Sequence, residues 1–427
     1  MSKGIFGALV GLIVVAAIPY GTVEPWWKAA FVCAVFAICI PAIIHVLVRG
    51  SYRIAGAPIL LPLAALTVLA FVQTLSFGSD TWNAISADPF QTRFFALQIL
   101  ALTAFLALLY RYTNSERRVR ILVFTILGVA VASAIFGILR QATQQQTGFI
   151  LPLLKQNQGY GQFVNKNHFA YLMEMAFGLG LGIILGGGVK RDRIMIYVAL
   201  MLPIWTGLVL ANSRGGILAM LAQVTVAALL LSSFRTNIAR SVVLKAVLLI
   251  ILVAGVLFGS LWVGGDRLVN NFEAAGSELN TETTREGASR NEIWRATLKM
   301  FAAHPILGVG LGGYWIGITA YHDASGLMTP QEAHNDYLEL LSSGGLLGFA
   351  LGVWFAVAVV RAARKNLFAD AGFMGAVRFG AVLGIAGVAA HSLVDFGLHM
   401  IANAVVFLTL IVMATMSKPP VRADSYR

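Results

Sequence analysis

From Trp26 to Val48 the chain carries one formal charge, Lys28, among side chains that are almost all apolar. A bilayer core about 30 Å thick needs about 20 such residues per helix. The run therefore fits a membrane and has no place on the surface of a soluble domain. Twelve windows qualify: 4–20, 26–48, 54–76, 93–112, 119–140, 169–188, 194–212, 215–234, 242–264, 333–362, 375–395 and 398–416, each punctuated by glycine, proline or a polar cluster. Composition agrees. Hydrophobic residues make up 58% of the 427 residues and charged ones 12%, with a mean hydropathy of +0.79, against roughly 45–50% and about 25% in soluble domains. The sequence predicts an all-α, polytopic membrane protein of about 12 transmembrane helices. One integral membrane domain is expected: helices 1–9 over residues 1–264, a large periplasmic loop with short helices over 265–332, then helices 10–12 and a short cytoplasmic tail over 333–427. No internal repeat and no inverted copy of one half in the other is visible.

The net charge of +12 invites a nucleic-acid reading, and position removes it. With the N-terminus in the cytoplasm, inner loops hold Lys3, the pair Arg49 and Arg53, the group Arg111 to Arg120, Lys190 to Arg193, Arg235 to Lys245, Arg361 to Arg378 and the tail from Lys418. These carry a net +16, while the outer side and the membrane carry −4. That imbalance is a topology signal. It expects both termini cytoplasmic and the two long polar segments on the outer side. Lys3 and the apolar run from Gly4 to Pro19 resemble the start of a signal peptide, but with so many spans following an uncleaved first helix is expected. Cys33 and Cys39 sit off each other's face inside one apolar run, without acidic or histidine neighbours, and are read as lipid- or core-facing.

Two outer segments exceed what a connection needs. Residues 141–167 are rich in amides (Gln144, Gln145, Gln146, Gln156, Asn157, Gln158), and residues 265–332 carry most of the external charge. Amides interleaved with Tyr160, Phe163, Tyr314, Trp315 and Tyr321 suit sugar binding, and a polar loop with an interfacial aromatic belt explains them equally.

Chemistry concentrates at the same end. Thr329-Pro330-Gln331-Glu332 reads as a capping box that starts a helix at Thr329. It places His334 on the first to second turn, with Asn335 beside it and Tyr337 three residues on. The helix to Arg364 would overrun the bilayer core, so it must tilt or bend near Ser342-Ser343-Gly344-Gly345. An imidazole, with its ordinary pKa near 6.5, can take a proton from a hydroxyl at neutral pH; a helix-capping or interfacial histidine is the plainer alternative. Asn212-Ser213-Arg214-Gly215-Gly216 forms a tight hairpin whose guanidinium can hold a phosphate in a bidentate contact, or simply anchor the helix. Ile293, Trp294, Thr297, Leu298 and Phe301 make one helical stripe, with Arg290, Arg295 and Lys299 on other faces. The run Gly308-Val309-Gly310-Leu311-Gly312-Gly313 follows no strand, which argues against a nucleotide loop. His391, Asp395 and His399 recur every four residues, a spacing that can seat a metal, but Gly397 interrupts it and a polar rim is the better reading. Asn165-Lys166-Asn167-His168 joins the same face, with Glu174 two turns deeper. Ionisable residues are almost absent from the middle of the spans, which argues against an ion-coupled transporter.

In this order, Phe163-Val164-Asn165-Lys166-Asn167-His168-Phe169-Ala170, Ser213-Arg214-Gly215-Gly216, Arg290 with Trp294 leading to Pro305 and Gly308-Val309-Gly310, His334-Asn335-Asp336-Tyr337-Leu338-Glu339, and His391-Ser392-Leu393-Val394-Asp395-Phe396 resemble the bacterial O-antigen ligase/polymerase superfamily of membrane glycosyltransferases. The likeness covers nearly the whole chain, and it implies a bacterial inner membrane location with the active site periplasmic. It implies a GT-C-like fold and a metal-independent, cofactor-free transfer of glycan from undecaprenyl diphosphate to an acceptor hydroxyl, with inversion. It implies that His334 is the general base and that Arg214 and Arg290 hold the diphosphate. Lys166, His168, Asn335, Tyr337, Glu339 and Asp395 would then shape the substrate cavity. A ligase would use lipid A-core as acceptor, and this is the favoured expectation. A polymerase would use a second carrier-linked unit. Protein O-glycosylation and polysaccharide transport are further alternatives.

Overall fold

Each apolar window must close its backbone hydrogen bonds internally to cross a membrane, and helices do so. The computed structural model describes residues 1–50, 52, 54–76, 84–143, 147–148, 151–155, 159–231, 290–322 and 330–417. In chain order the helices are α1 (Ser2–Ala16), α2 (Pro25–Arg49), α3 (Ala57–Gln73), α4 (Pro89–Tyr112), α5 (Glu116–Ala142), α6 (Lys166–Leu185), α7 (Ile194–Leu210), α8 (Arg214–Leu231), α9 (Arg290–Ala303), α10 (Tyr314–Gly317), α11 (Asp336–Asn366), α12 (Phe373–His391) and α13 (Ile401–Thr415). Among the described residues, 8 helical segments are long and apolar enough to cross a membrane, and α1, α3 and α13 are shorter apolar helices. The ninth predicted window, 242–264, lies outside the described residues, as do 265–289 and 323–329 of the expected loop. One departure from all-α is a small antiparallel pair, β1 (Thr147–Gly148) with β2 (Leu151–Lys155), in the amide-rich segment. Gln144 to Gln146 and Gln156 to Gln158 lie outside the described residues.

Of the helices long enough to span a membrane the most enclosed is α6, packed against α12, α8, α7 and α5. Its tight contact with α12 is built from two facing small-residue pairs, Gly178 with Gly182 and Gly380 with Gly384. A Cβ on Gly178 would come within 2.6 Å of the Gly384 nitrogen, and one on Gly182 would collide with the Gly380 Cα. In lipid, where apolar burial gives helices little drive to associate, such backbone approach supplies the dispersion contact.

The bend expected in the late long helix is present. Gly345 adopts φ 64°, ψ −169° inside α11, a region open mainly to glycine. Residues 305–310 enter the break and pair with the backbone there. Leu346 donates to the Pro305 carbonyl at 2.8 Å, and Val309 and Gly310 donate to Ser342 and Ser343 at 3.1 and 3.0 Å. Gln73 of α3 clamps the junction: its Nε2 donates to the carbonyls of Leu307 (2.6 Å) and Ser343 (2.9 Å), and its Oε1 accepts from the Leu311 amide at 3.0 Å. The glycine run at 308–313 is therefore a structural strap across a helix break.

Two local expectations are corrected. Residues 330–335 are not helical, and α11 begins at Asp336, nearly two turns later than the capping-box reading placed it. The cap is Asn335, whose Oδ1 accepts from the amides of Tyr337 and Leu338 at 3.0 Å, while the Glu339 carboxylate reaches back to the Ala333 amide at 2.9 Å. Glu332, the acid of the expected box, is drawn instead to His399. On α9 the buried stripe is Ile293, Ala296, Thr297 and Met300; Leu298 is exposed. A small satellite core of Val309, Tyr314, Ile318 and Ala333 selects that face.

Candidate active site

His334 sits in the connection just before α11, with φ +50°. A left-handed backbone at a non-glycine residue persists only where the surroundings hold it. Here the hold is explicit: Ala333 is fixed by Glu339 on its amide and by Trp294 Nε1 on its carbonyl (3.0 Å), and Asn335 is fixed as the helix cap. The imidazole is left partly open, with 35% of its side chain exposed, and its Nδ1 faces Asp395 Oδ1 at 3.5 Å. Its ring meets Phe396 edge-on, 4.9 Å between centroids.

Asp395 is fully buried in the turn after α12. Its Oδ1 accepts from the Phe396 amide at 2.9 Å, and its Oδ2 accepts from Asn167 Nδ2. Burial by itself would raise this carboxyl, but the His334 contact and the nearby His168 and His391 rings hold it well below the usual carboxylate range. Asp395 is therefore an anion behind an imidazole, an arrangement that orients a general base and stabilises its protonated form. Asn167 continues the relay: its Oδ1 accepts from the Ser213 hydroxyl at 2.9 Å, and Ser213 Oγ in turn accepts from the Gly216 amide at 3.2 Å at the start of α8. That ties the Arg214 hairpin to the dyad. The turn is tight, with Asn212 at φ +54°. Gly215 lies against His391, so a Cβ there would collide with the ring.

The structure thus gathers His334, Asn335, Tyr337, Glu339, His168 and Asp395 at one end of the bundle. Tyr337 donates its hydroxyl to the Ala389 carbonyl at 2.8 Å, and Asn335 Nδ2 donates to the Leu393 carbonyl at 2.9 Å, so both dock α11 on the α12 end. His168 is buried with its ring edge against Phe396, 4.9 Å between centroids. Arg214 and Arg290 are half-buried first residues of α8 and α9. Arg290 stands one turn before Trp294, which bonds the residue next to His334. Lys166 is exposed at the first turn of α6, beside Asn167.

The expected stripe of His391, Asp395 and His399 is split three ways. His391 is fully buried, stacked on Tyr171 at 4.0 Å with Nδ1 2.8 Å from Glu174 Oε2, so it lines no rim. His399 occupies the single helical turn Gly397–His399, with Nδ1 3.5 Å from Glu332 and Nε2 3.5 Å from Glu339 and 3.7 Å from Asp336. Glu332, Glu339 and His399 are a group whose ligand atoms lie within 4.8 Å of one another, close enough for a metal ion. Both ring nitrogens already face carboxylates, however, which suits an imidazolium. Burial would lower its pKa, but Glu339, Glu332 and Asp336 raise it to about 10. Burial would likewise raise Glu332, yet His399, Glu339 and Lys28 bring it to about 2. Because the folded pKa of His399 exceeds its ordinary 6.5, its stabilising contribution is complete below that value and is lost as pH rises through about 10. Thermal unfolding in detergent should show a falling melting temperature over that window, and His399→Gln should flatten the slope.

Sequence reasoning passed over Gln73, Asn167, Ser213 and Phe396 as individual residues. Three of them stand inside the quoted motifs, so position pointed to them while their partners did not. Tyr160 and Phe163, offered as sugar-binding aromatics, are core residues packed on Phe169. Trp315 faces a cavity, and the Tyr314 hydroxyl is engaged by Thr297 at 2.7 Å.

Residues 196–353 match the model of the O-antigen ligase family. Over this stretch the chain is similar to O-antigen ligases. Among curated proteins none matches the chain. The matched stretch contains Arg214, Arg290 and His334, whereas Lys166, His168 and Asp395 lie outside it.

Proposed function

We propose that the protein is an inverting, metal-independent glycosyltransferase that moves glycan from undecaprenyl diphosphate to a hydroxyl of lipid A-core at the periplasmic face of the inner membrane. The observation that carries this reading is the accessible His334 imidazole backed by the buried Asp395 anion, 3.5 Å away. With Nδ1 turned to Asp395, Nε2 accepts the proton of the acceptor hydroxyl. The hydroxyl oxygen bonds to the anomeric carbon as the bond from that carbon to the diphosphate oxygen breaks. The electron pair of the broken bond leaves with the diphosphate, and the proton stays on His334 as an imidazolium facing Asp395. Arg214 and Arg290 meet the charge of the departing diphosphate, a role in which paired guanidinium groups replace a cation. An apo separation of 3.5 Å is long for a hydrogen bond, and such contacts tighten when substrate binds.

The test is to offer the purified protein carrier-linked glycan with either lipid A-core or a second carrier-linked unit, in detergent, with a chelator and without an ion gradient. Lengthened lipid A-core is the expected product. Lengthened carrier-linked glycan would replace the ligase reading with the polymerase one. No product from either acceptor would overturn transfer itself.

A further inference from the structure

Beyond the His334 dyad, on the far side of Phe396 and His399, lies a cavity of about 360 Å³ between the starts of α2 and α4, the α10 turn and the residues before α11. Five aromatic rings line it, Phe90, Phe94 and Trp315 among them, together with the amides of Gln91, Gln98 and Gln331. Phe90 and Trp315 are exposed apolar surface beside it. The decisive side chain is Gln98. It is only 6% exposed, lines the cavity and makes no hydrogen bond to any described residue. With the rest of the residue buried and no partner for its amide among the described residues, the hydrogen-bonding groups it offers are turned to whatever fills the cavity. Charge narrows the ligand further. Lys28 and His399 share the wall with the carboxyl groups of Glu332 and Glu339, and among the described residues no arginine lines the cavity. A diphosphate would meet two carboxyl groups and no guanidinium there, in contrast to the Arg214 side. Flat apolar rings that take the C–H faces of a pyranose, with neutral amides that take its hydroxyls, describe a saccharide.

We propose that this cavity holds the sugar headgroup of the acceptor, the core saccharide of lipid A-core, and that Gln98 and Trp315 set its affinity. The inference rests on the transfer reading above for the word acceptor, and on the cavity itself for the word saccharide. Phe396, in edge contact with both His334 (4.9 Å) and His399 (5.9 Å), joins the cavity wall to the base, so an acceptor held in the cavity extends past this ring to reach His334.

In purified full-length protein, Gln98→Leu is expected to raise the acceptor KM by about tenfold or more, the loss of a buried hydrogen-bonding partner. The donor KM should stay unchanged. The melting temperature should hold or rise, since leucine removes an unpartnered amide. Trp315→Ala, at a partly exposed site, should raise the acceptor KM in the same direction. Unchanged acceptor KM in both variants overturns the site. A second measurement is independent of turnover: calorimetric titration of core oligosaccharide, released from lipid A, into the His334→Ala protein. Saturable binding that Gln98→Leu weakens by the same factor supports the cavity even if no acceptor is ever lengthened, in which case only the transfer reading falls. Absent binding, or binding indifferent to both substitutions, overturns the saccharide site while leaving transfer standing.

Discussion

Replacing His334 by alanine is expected to slow glycan transfer by about 10²–10⁴-fold, the usual contribution of a positioned general base. Expression and melting temperature should remain near those of the unaltered protein. The side chain is partly exposed and makes one ion-pair contact and one ring contact, so little packing is removed. Asp395 keeps Asn167 and the Phe396 amide when the imidazole is gone, so no stranded buried charge is created. Initial rates with carrier-linked glycan, measured beside thermal unfolding, separate the two effects. A full rate in His334→Ala would remove this residue from the chemistry and leave it as a surface histidine in an unusual backbone conformation.

Asp395→Asn should be nearly as damaging, about 10²–10⁴-fold in rate, by the logic of an anion that fixes the tautomer of its histidine. An asparagine amide facing Nδ1 as a donor would favour a proton on Nε2, the nitrogen that must accept one from the acceptor. It would also withdraw the charge that faces the imidazolium formed during transfer. The distinguishing signature is the split between rate and stability: the rate should fall by far more than any loss of melting temperature explains. A variant that loses stability but keeps the rate of the unaltered protein would make Asp395 a strut for the turn after α12 and nothing more.

Much of the fold was legible before any coordinates. The bend near Gly345, the tight hairpin before Arg214 and the concentration of polar residues at one end all follow from local signals, namely glycine, interrupted hydropathy and chain direction. The start of α11 did not. Thr329-Pro330-Gln331-Glu332 is a sound capping sequence, yet Glu332 is claimed by His399, 67 positions further on, and Glu339 supplies the reach-back about two turns later. Competition for a side chain from a distant segment has no local signature. The same holds for His391, whose four-residue spacing from Asp395 suggested a common face until Glu174 on α6 captured its ring.

The chain by itself determined that it is a membrane protein of many helices, because twenty apolar residues in a row have one stable solution in lipid and that solution needs no partner. It also showed which polar residues collect at one end of the helices. Only the tertiary structure decided what those residues face. Asn167 meets Asp395 across 228 positions, and Gln73 meets Ser343 across 270. Hydropathy and periodicity are properties of neighbours along the chain, whereas an acid turned toward one imidazole and not another is decided by how helices approach. Glycine pairs such as those between α6 and α12 set that approach, and with it the partner of each buried charge.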